Sequence, residues 1–152
     1  MIKKTLFFLI LNFGALALGS YFTSEAVKDT WYVSLNKAPW TPPGWFFGFA
    51  WSVIMICFAV YMAKWATITN KKSLLIKLFT LQWILNIVWN PIFFYFENPI
   101  LGLLSISLLT ILVAALFISL IKQLKSYSIL ILPYTLWLFV ATSLNAYIVL
   151  YN

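Results

Sequence analysis

A chain of 152 residues that is 64% hydrophobic and only 9% charged, with a mean hydropathy of +0.98, cannot coat itself for water. Soluble domains spend about a quarter of their residues on charge, so a soluble globular domain is excluded and lipid becomes the outer solvent for most of the chain. The net charge of +7 arises from 10 Lys against 3 acids. With no His and one Cys, an intrachain disulfide and the common transition-metal and nucleophile–base sets lack their parts.

The first apolar run covers residues 5–23, behind Lys3 and Lys4. Its basic start and small residues from Ala15 to Ser20 resemble a secretory signal, yet its length favours a retained span. Further runs cover 45–65, 74–96, 100–121 and 129–151, each near the roughly 20 residues a membrane helix needs. None alternates polar and apolar as a membrane β-strand does. Polar breaks at Thr67–Ser73, Glu97–Pro99 and Lys122–Ser128 separate the later runs. The expected fold is an all-α membrane protein, a five-transmembrane-helix bundle forming one domain over 1–152. A long, ordered, Trp/Pro-rich loop at 25–44 joins the first two helices.

Charge sorts by side. Five spans place Lys3, Lys4, Lys64, Lys71, Lys72, Lys77, Lys122 and Lys125 on one side with no acid. The other side holds Lys28 and Lys37 with Glu25, Asp29 and Glu97. The positive-inside rule then puts the N-terminus in the cytoplasm and the C-terminus outside. A helical bundle with this bias suits a bacterial inner (cytoplasmic) membrane. No nucleic-acid partner is expected, because the lysines sit at membrane edges rather than along one groove-sized stripe.

The 25–44 loop is long for so small a protein, and such loops are functional or disordered. Trp31, Tyr32, Val33, Leu35 and Trp40 argue against solvation, and Pro39, Pro42 and Pro43 lower the entropy lost on ordering. The loop reads as a cap over one end of the bundle, with an interfacial aromatic belt as the simpler alternative. Within the spans, Gln82, Asn86 and Asn90 share a helix face, for helix–helix hydrogen bonds or a pocket. Asn90 also precedes Pro91, which frees the Ile87 carbonyl, and is expected to serve that kink. Tyr134, Trp137, Ala141 and Asn145 share a face of the last span. A mid-span Trp is not a headgroup anchor, but it offers a flat surface to a planar ligand. Trp51 points to the same end as the cap. The small-residue spacings Gly44/Gly48 and Ala15/Gly19 read as close helix packing or dimer contact.

Three stretches in order resemble one family. They are Trp31-Tyr32, Leu35, Lys37, Trp40, Pro42-Pro43-Gly44-Trp45, Phe47 and Trp51; then Gln82, Leu85-Asn86, Trp89 and Phe93-Phe94; then Leu132-Pro133-Tyr134, Trp137, Ala141-Thr142, Leu144-Asn145 and Asn152. Together they resemble the TspO/MBR (tryptophan-rich sensory protein/translocator protein) family, a bacterial member, across essentially the whole chain. There are departures: Lys37-Ala38 stands for the family's Lys-Pro, Trp89-Asn90 for its Trp-Ser, and no cation follows Tyr147. Cholesterol binding is therefore not carried over.

The resemblance implies a ligand, protoporphyrin IX or haem, and synthetic isoquinoline carboxamide or benzodiazepine ligands besides. It also implies a homodimer in the lipid bilayer. On this reading Trp51 and Trp137 stack on the ligand, and Tyr32, Trp40, Pro42, Gln82, Asn86, Ala141 and Asn145 complete the wall. Lys37 pairs with a propionate. The expected role is porphyrin sensing, trafficking or detoxification. A rival is light-dependent porphyrin degradation, in which Trp51 and Trp137 would be the catalytic electron donors, since no span holds a carboxylate or His for acid–base work. A third reading is a regulatory or structural membrane partner subunit.

Overall fold

Large apolar side chains project from every side of the long helices, as they do where lipid, not water, lies outside. On the second of them Ile54, Met55, Phe58 and Tyr61 are buried, while Trp45, Phe49, Val53 and Ile56 face outward. The computed structural model describes residues 1–152 and contains no strand. The elements are α1 (Ile2–Ala26), α2 (Thr30–Ser34), α3 (Gly44–Ile68), α4 (Lys72–Asn90), α5 (Pro99–Leu124) and α6 (Leu132–Tyr151). A π-helical turn, Pro91–Tyr95, continues α4, and a 3-10 segment, Lys125–Ile131, joins α5 to α6.

Four helical stretches are long and apolar enough to cross a membrane: Ile2–Ala26, Gly44–Ile68, Lys72–Tyr95 and Pro99–Tyr151. The last is 53 residues long and reverses on itself, because Lys125 takes φ 50° and α6 packs back along α5. The expected loop at Lys122–Ser128 is thus helical nearly throughout. Ser128 Oγ holds the reversal by donating to the Ile121 carbonyl at 3.3 Å. Other bounds also move. α1 runs three residues past the expected end, and residues 25–44 contain α2. The break at Thr67–Ser73 shrinks to 69–71, where Thr69 Oγ1 accepts from the Lys71 amide at 3.0 Å. Asn98 caps α5, accepting from the Leu101 amide at 3.0 Å, with Pro99 at the first helical position.

The long helices close a ring in the order α1, α3, α6, α5, α4. Half of it is solid. Phe8, Phe58, Tyr61, Phe79, Val113 and Leu138 fill the end where α1 begins. Interhelical bonds reinforce it: Asn12 Nδ2 donates to the Met55 carbonyl at 3.0 Å and Trp83 Nε1 to the Leu11 carbonyl at 2.9 Å. Each such bond in lipid contributes on average about 0.6 kcal/mol, so tight packing carries most of the stability. The other half of the ring is hollow.

Candidate functional site

The segment between α1 and α3 lies over the hollow end, and its local sequence explains its shape. Asp29 Oδ1 accepts from the Thr30 amide at 2.6 Å and starts α2. Lys37 Nζ returns to the far end of α2, where carbonyls lack partners. It donates to the Tyr32 carbonyl at 2.6 Å and the Val33 carbonyl at 3.4 Å, and lies 4.5 Å above the Tyr32 ring. On one flank Trp31 packs edge-on against Phe93 at 5.7 Å, and Tyr32 packs at a tilt against Phe94 at 5.4 Å. On the other the Asn152 amide holds Asn36 by both backbone groups, accepting from its N–H at 2.7 Å and donating to its carbonyl at 3.2 Å. The segment is a lid fastened at two edges.

Beneath it is a cavity of about 680 Å³. α1 contributes Ala15, Gly19, Ser20, Thr23 and Ser24; α3 contributes Gly44, Phe47, Gly48 and Trp51. Asn86, Trp89, Asn90, Phe93 and Phe94 form the wall from α4 and its π-turn, and Trp137, Ala141, Leu144, Asn145 and Ile148 that from α6. Tyr32, Lys37, Thr41 and Pro42 roof it. Trp51 meets Tyr134 edge-on at 5.9 Å at the floor, and Phe47 braces Trp137 at 5.4 Å.

The polar groups of this wall divide into engaged and free. Asn145 accepts from Trp89 Nε1 at 3.1 Å and donates to the Pro99 carbonyl at 2.8 Å, so both ends of its amide serve the scaffold. Asn90 accepts from Thr23 Oγ1 at 2.8 Å and donates to the Asn86 carbonyl at 3.2 Å. It therefore answers Asn86, not Ile87, and ties α1 to α4. By contrast the Asn86 side chain makes no hydrogen bond within the chain, and the buried Trp137 Nε1 has no partner. An unmade buried bond such as that of Trp137 Nε1 costs about 1–3 kcal/mol; the Asn86 amide stays open to the cavity, and both residues line it. Lys37 is the one charged side chain in the wall. Burial pushes the Tyr32 phenol above its ordinary value, so it stays neutral.

Of the residues the sequence singles out, Tyr32, Lys37, Pro42, Trp51, Asn86, Trp137, Ala141 and Asn145 come together around this cavity. Two do not. Trp40 is 54% exposed on the outer side of α6, donating from Nε1 to Ser143 Oγ at 3.1 Å. Gln82 lies one turn deeper than Asn86, beneath the floor, and donates to the Tyr134 hydroxyl at 2.7 Å. Trp89, Phe93, Phe94, Thr23 and Gly19 were not singled out as site residues; for the first three the signals were the aromatic stretch that carries the family resemblance and the Asn90-Pro91 pair beside it. Gly44 and Gly48, read as positions of close helix packing or dimer contact, meet nothing within the chain: a Cβ at either would have no neighbour within 4 Å. At Gly19 a Cβ would fall 2.6 Å from Asn90 Nδ2, so there the packing role fits.

A ring of lipid-facing helices, hollow at one end and roofed by a Trp/Pro lid, defines a helical integral membrane protein with an internal cavity. The chain belongs to the TspO/MBR family, whose model matches residues 7–151. It is 37% identical to the tryptophan-rich protein TspO of Archaeoglobus fulgidus over 88% of this chain and 87% of that one. Protein CrtK of Rhodobacter capsulatus is 30% identical, over 85% of this chain and 80% of its own. The human translocator protein is 29% identical, again over 85% and 80%.

Proposed function

We propose that the protein binds a tetrapyrrole, protoporphyrin IX or haem, in this cavity and acts in porphyrin sensing, trafficking or detoxification. One observation carries the reading: a 680 Å³ aromatic cavity walled by Trp51 and Trp137 and holding one unpartnered polar side chain, Asn86. The volume falls within the about 300–1,000 Å³ of small-molecule sites, which are mostly apolar with a few placed polar groups. Trp51 and Trp137 offer faces to a flat ring, and Lys37 can exchange its long 3.4 Å contact with Val33 for a propionate. No His, Cys or Met lines the wall, and neutral Tyr32 is a poor iron ligand, so recognition rests on the ring's faces and edges. Protoporphyrin IX and haem should then bind with affinities within about threefold of each other, since axial ligation contributes little.

The chain also reads as five crossing helices in a bacterial inner membrane, N-terminus in the cytoplasm, as a homodimer. Synthetic isoquinoline carboxamide or benzodiazepine ligands would share the cavity. Titrating detergent-solubilised protein with protoporphyrin IX tests the main reading. Saturable quenching of Trp fluorescence is expected, weakened about tenfold in Asn86→Ala, the size of one lost polar contact near 1.4 kcal/mol. Well-folded protein without saturable quenching would overturn it. Light-dependent degradation is the second reading, favoured by two Trp in a wall without carboxylates. Bleaching under light should slow in Trp51→Phe and Trp137→Phe while binding survives; unchanged bleaching removes the electron-donor role. Recovery of a stoichiometric partner in a pull-down would favour the partner-subunit reading instead.

A further inference from the structure

The hollow half of the ring is not equally sealed. Most residues of the cavity wall are buried or half-buried; the exposed ones are Ser20, Ser24, Val27, Gly44 and Gly48. All five lie along one seam, where the end of α1 passes the start of α3. The seam is tied lower down, by Lys4 Nζ to the Ala66 carbonyl at 2.8 Å and by Asn12 to Met55 at 3.0 Å, and no hydrogen bond crosses it above. A Cβ at Gly44 or Gly48 would project into open space. The lid, by contrast, is fastened to α6 through Asn152 and Trp40 and to the π-turn through Trp31 and Tyr32.

Depth matters here. Ser20 lies six residues before the end of α1 and Gly48 four residues after the start of α3, about 9 Å and 6 Å in at 1.5 Å per residue. A helix of 25 residues is about 37 Å long against an apolar bilayer core of about 30 Å. On the orientation proposed above, the gap therefore opens at the outer-leaflet acyl chains, just below the headgroups. Small residues alone would mean little, but the gap leads to an unpartnered polar side chain. Asn86 is only 8% exposed, its amide makes no hydrogen bond within the chain, and it lines the cavity opposite α6, where Trp137 supplies an aromatic wall.

We propose that the α1–α3 seam is a lateral window through which a flat, amphipathic ligand passes between the outer leaflet and the cavity while the lid stays fastened. This rests on the binding reading above. Such a ligand partitions into the bilayer first, so a membrane-level entrance avoids any opening of the lid to water. Gly44 and Gly48 keep the passage clear by lacking side chains.

The test uses Gly48→Cys in a Cys57→Ser background, reconstituted in lipid nanodiscs, with protoporphyrin IX association and dissociation followed by Trp quenching. Rates are compared before a bulky methanethiosulfonate adduct, after it, and after its removal by reductant. A plugged window slows association and dissociation together, by about tenfold, with little change in affinity, because a gate alters rates and not equilibria. Reductant restores both rates. The same adduct on Phe49→Cys, which faces lipid outside the cavity, leaves both unchanged. So does cross-linking Asn36→Cys to Asn152→Cys across the lid. If the lid cross-link slows exchange and the Gly48 adduct does not, the lid is the route and the proposal is overturned. It is equally overturned if the adduct only speeds dissociation, since that means lost cavity space. Unmodified protein without saturable quenching would remove the binding reading, and the window with it.

Discussion

Gly19 and Asn90 share the space where α1 crosses α4, and the contact leaves no room for a methyl group. With a Cβ 2.6 Å from Asn90 Nδ2, Gly19→Ala forces Asn90 away from Thr23 and the Asn86 carbonyl. We expect destabilisation of about 1–3 kcal/mol from overpacking, read as a lowered thermal midpoint in detergent. Gln82 and Tyr134 make a different kind of pair. Gln82 Oε1 is already unpartnered, and Tyr134→Phe strands its Nε2 as well, at about 1–3 kcal/mol. Adding Gln82→Leu should recover most of that loss, and porphyrin affinity should change little in either variant; a double-mutant cycle of thermal midpoints checks this. Tyr32 predicts a pH effect. Its raised phenol ionises later in the fold than in the unfolded chain. The associated stability is therefore complete below about pH 10 and is lost as pH climbs beyond it, observable as release of the lid at alkaline pH in near-ultraviolet circular dichroism. At this scale the pocket was legible where a residue type was out of place, as with Trp137 in mid-span. Trp40 was not, because a loop Trp carries no sign of which face of α6 it will meet.

The long apolar helices were legible because their apolar runs match the thickness of lipid. What joins them was not. The polar stretch 122–128 reads as a loop, yet it stays helical because Ser128 and Leu124 are buried at the reversal. α2 is only five residues long, too short for periodicity, although Asp29-Thr30 carried a usable start signal. Pro91 announced an irregularity without its form. The π-turn adds a residue to one turn of α4, so Phe93 and Phe94 swing by about 100° relative to a regular helix and reach Trp31 and Tyr32. Pro91→Ala permits a regular continuation and should uncouple the lid. Cleavage by trypsin after Lys28 and Lys37 in detergent-solubilised protein should then rise several-fold, as the protecting contacts drop toward zero local stability.

As a whole the molecule is solid at its lysine-rich end and hollow at the lidded end. A ligand in the hollow end supplies contacts that the scaffold lacks, so saturating protoporphyrin IX at 100 times its dissociation constant should stabilise the fold by about 2.7 kcal/mol. The same polarity predicts sidedness. In a Cys57→Ser background, Glu25→Cys should react with an impermeant thiol reagent added outside intact cells, and Lys71→Cys only after lysis. The reverse pattern would invert the orientation drawn from the lysines. The gathering of lysines at one end was legible in the sequence at long range. The lidded hollow was foretold by the Trp/Pro loop and the out-of-place aromatic residues, but its extent was not, since a cavity is bounded by side chains that fail to meet.

The bond between Asn36 and Asn152 spans 116 residues, and this imposes an order of events during synthesis. The lid emerges early, between the first two long helices, but one of its two fastenings arrives only with the end of α6. Until then the roof has no counterpart on that flank, and its aromatic side chains face a half-built ring. Assembly therefore runs from the solid end outward, and closure of the vessel is among the last steps of biogenesis.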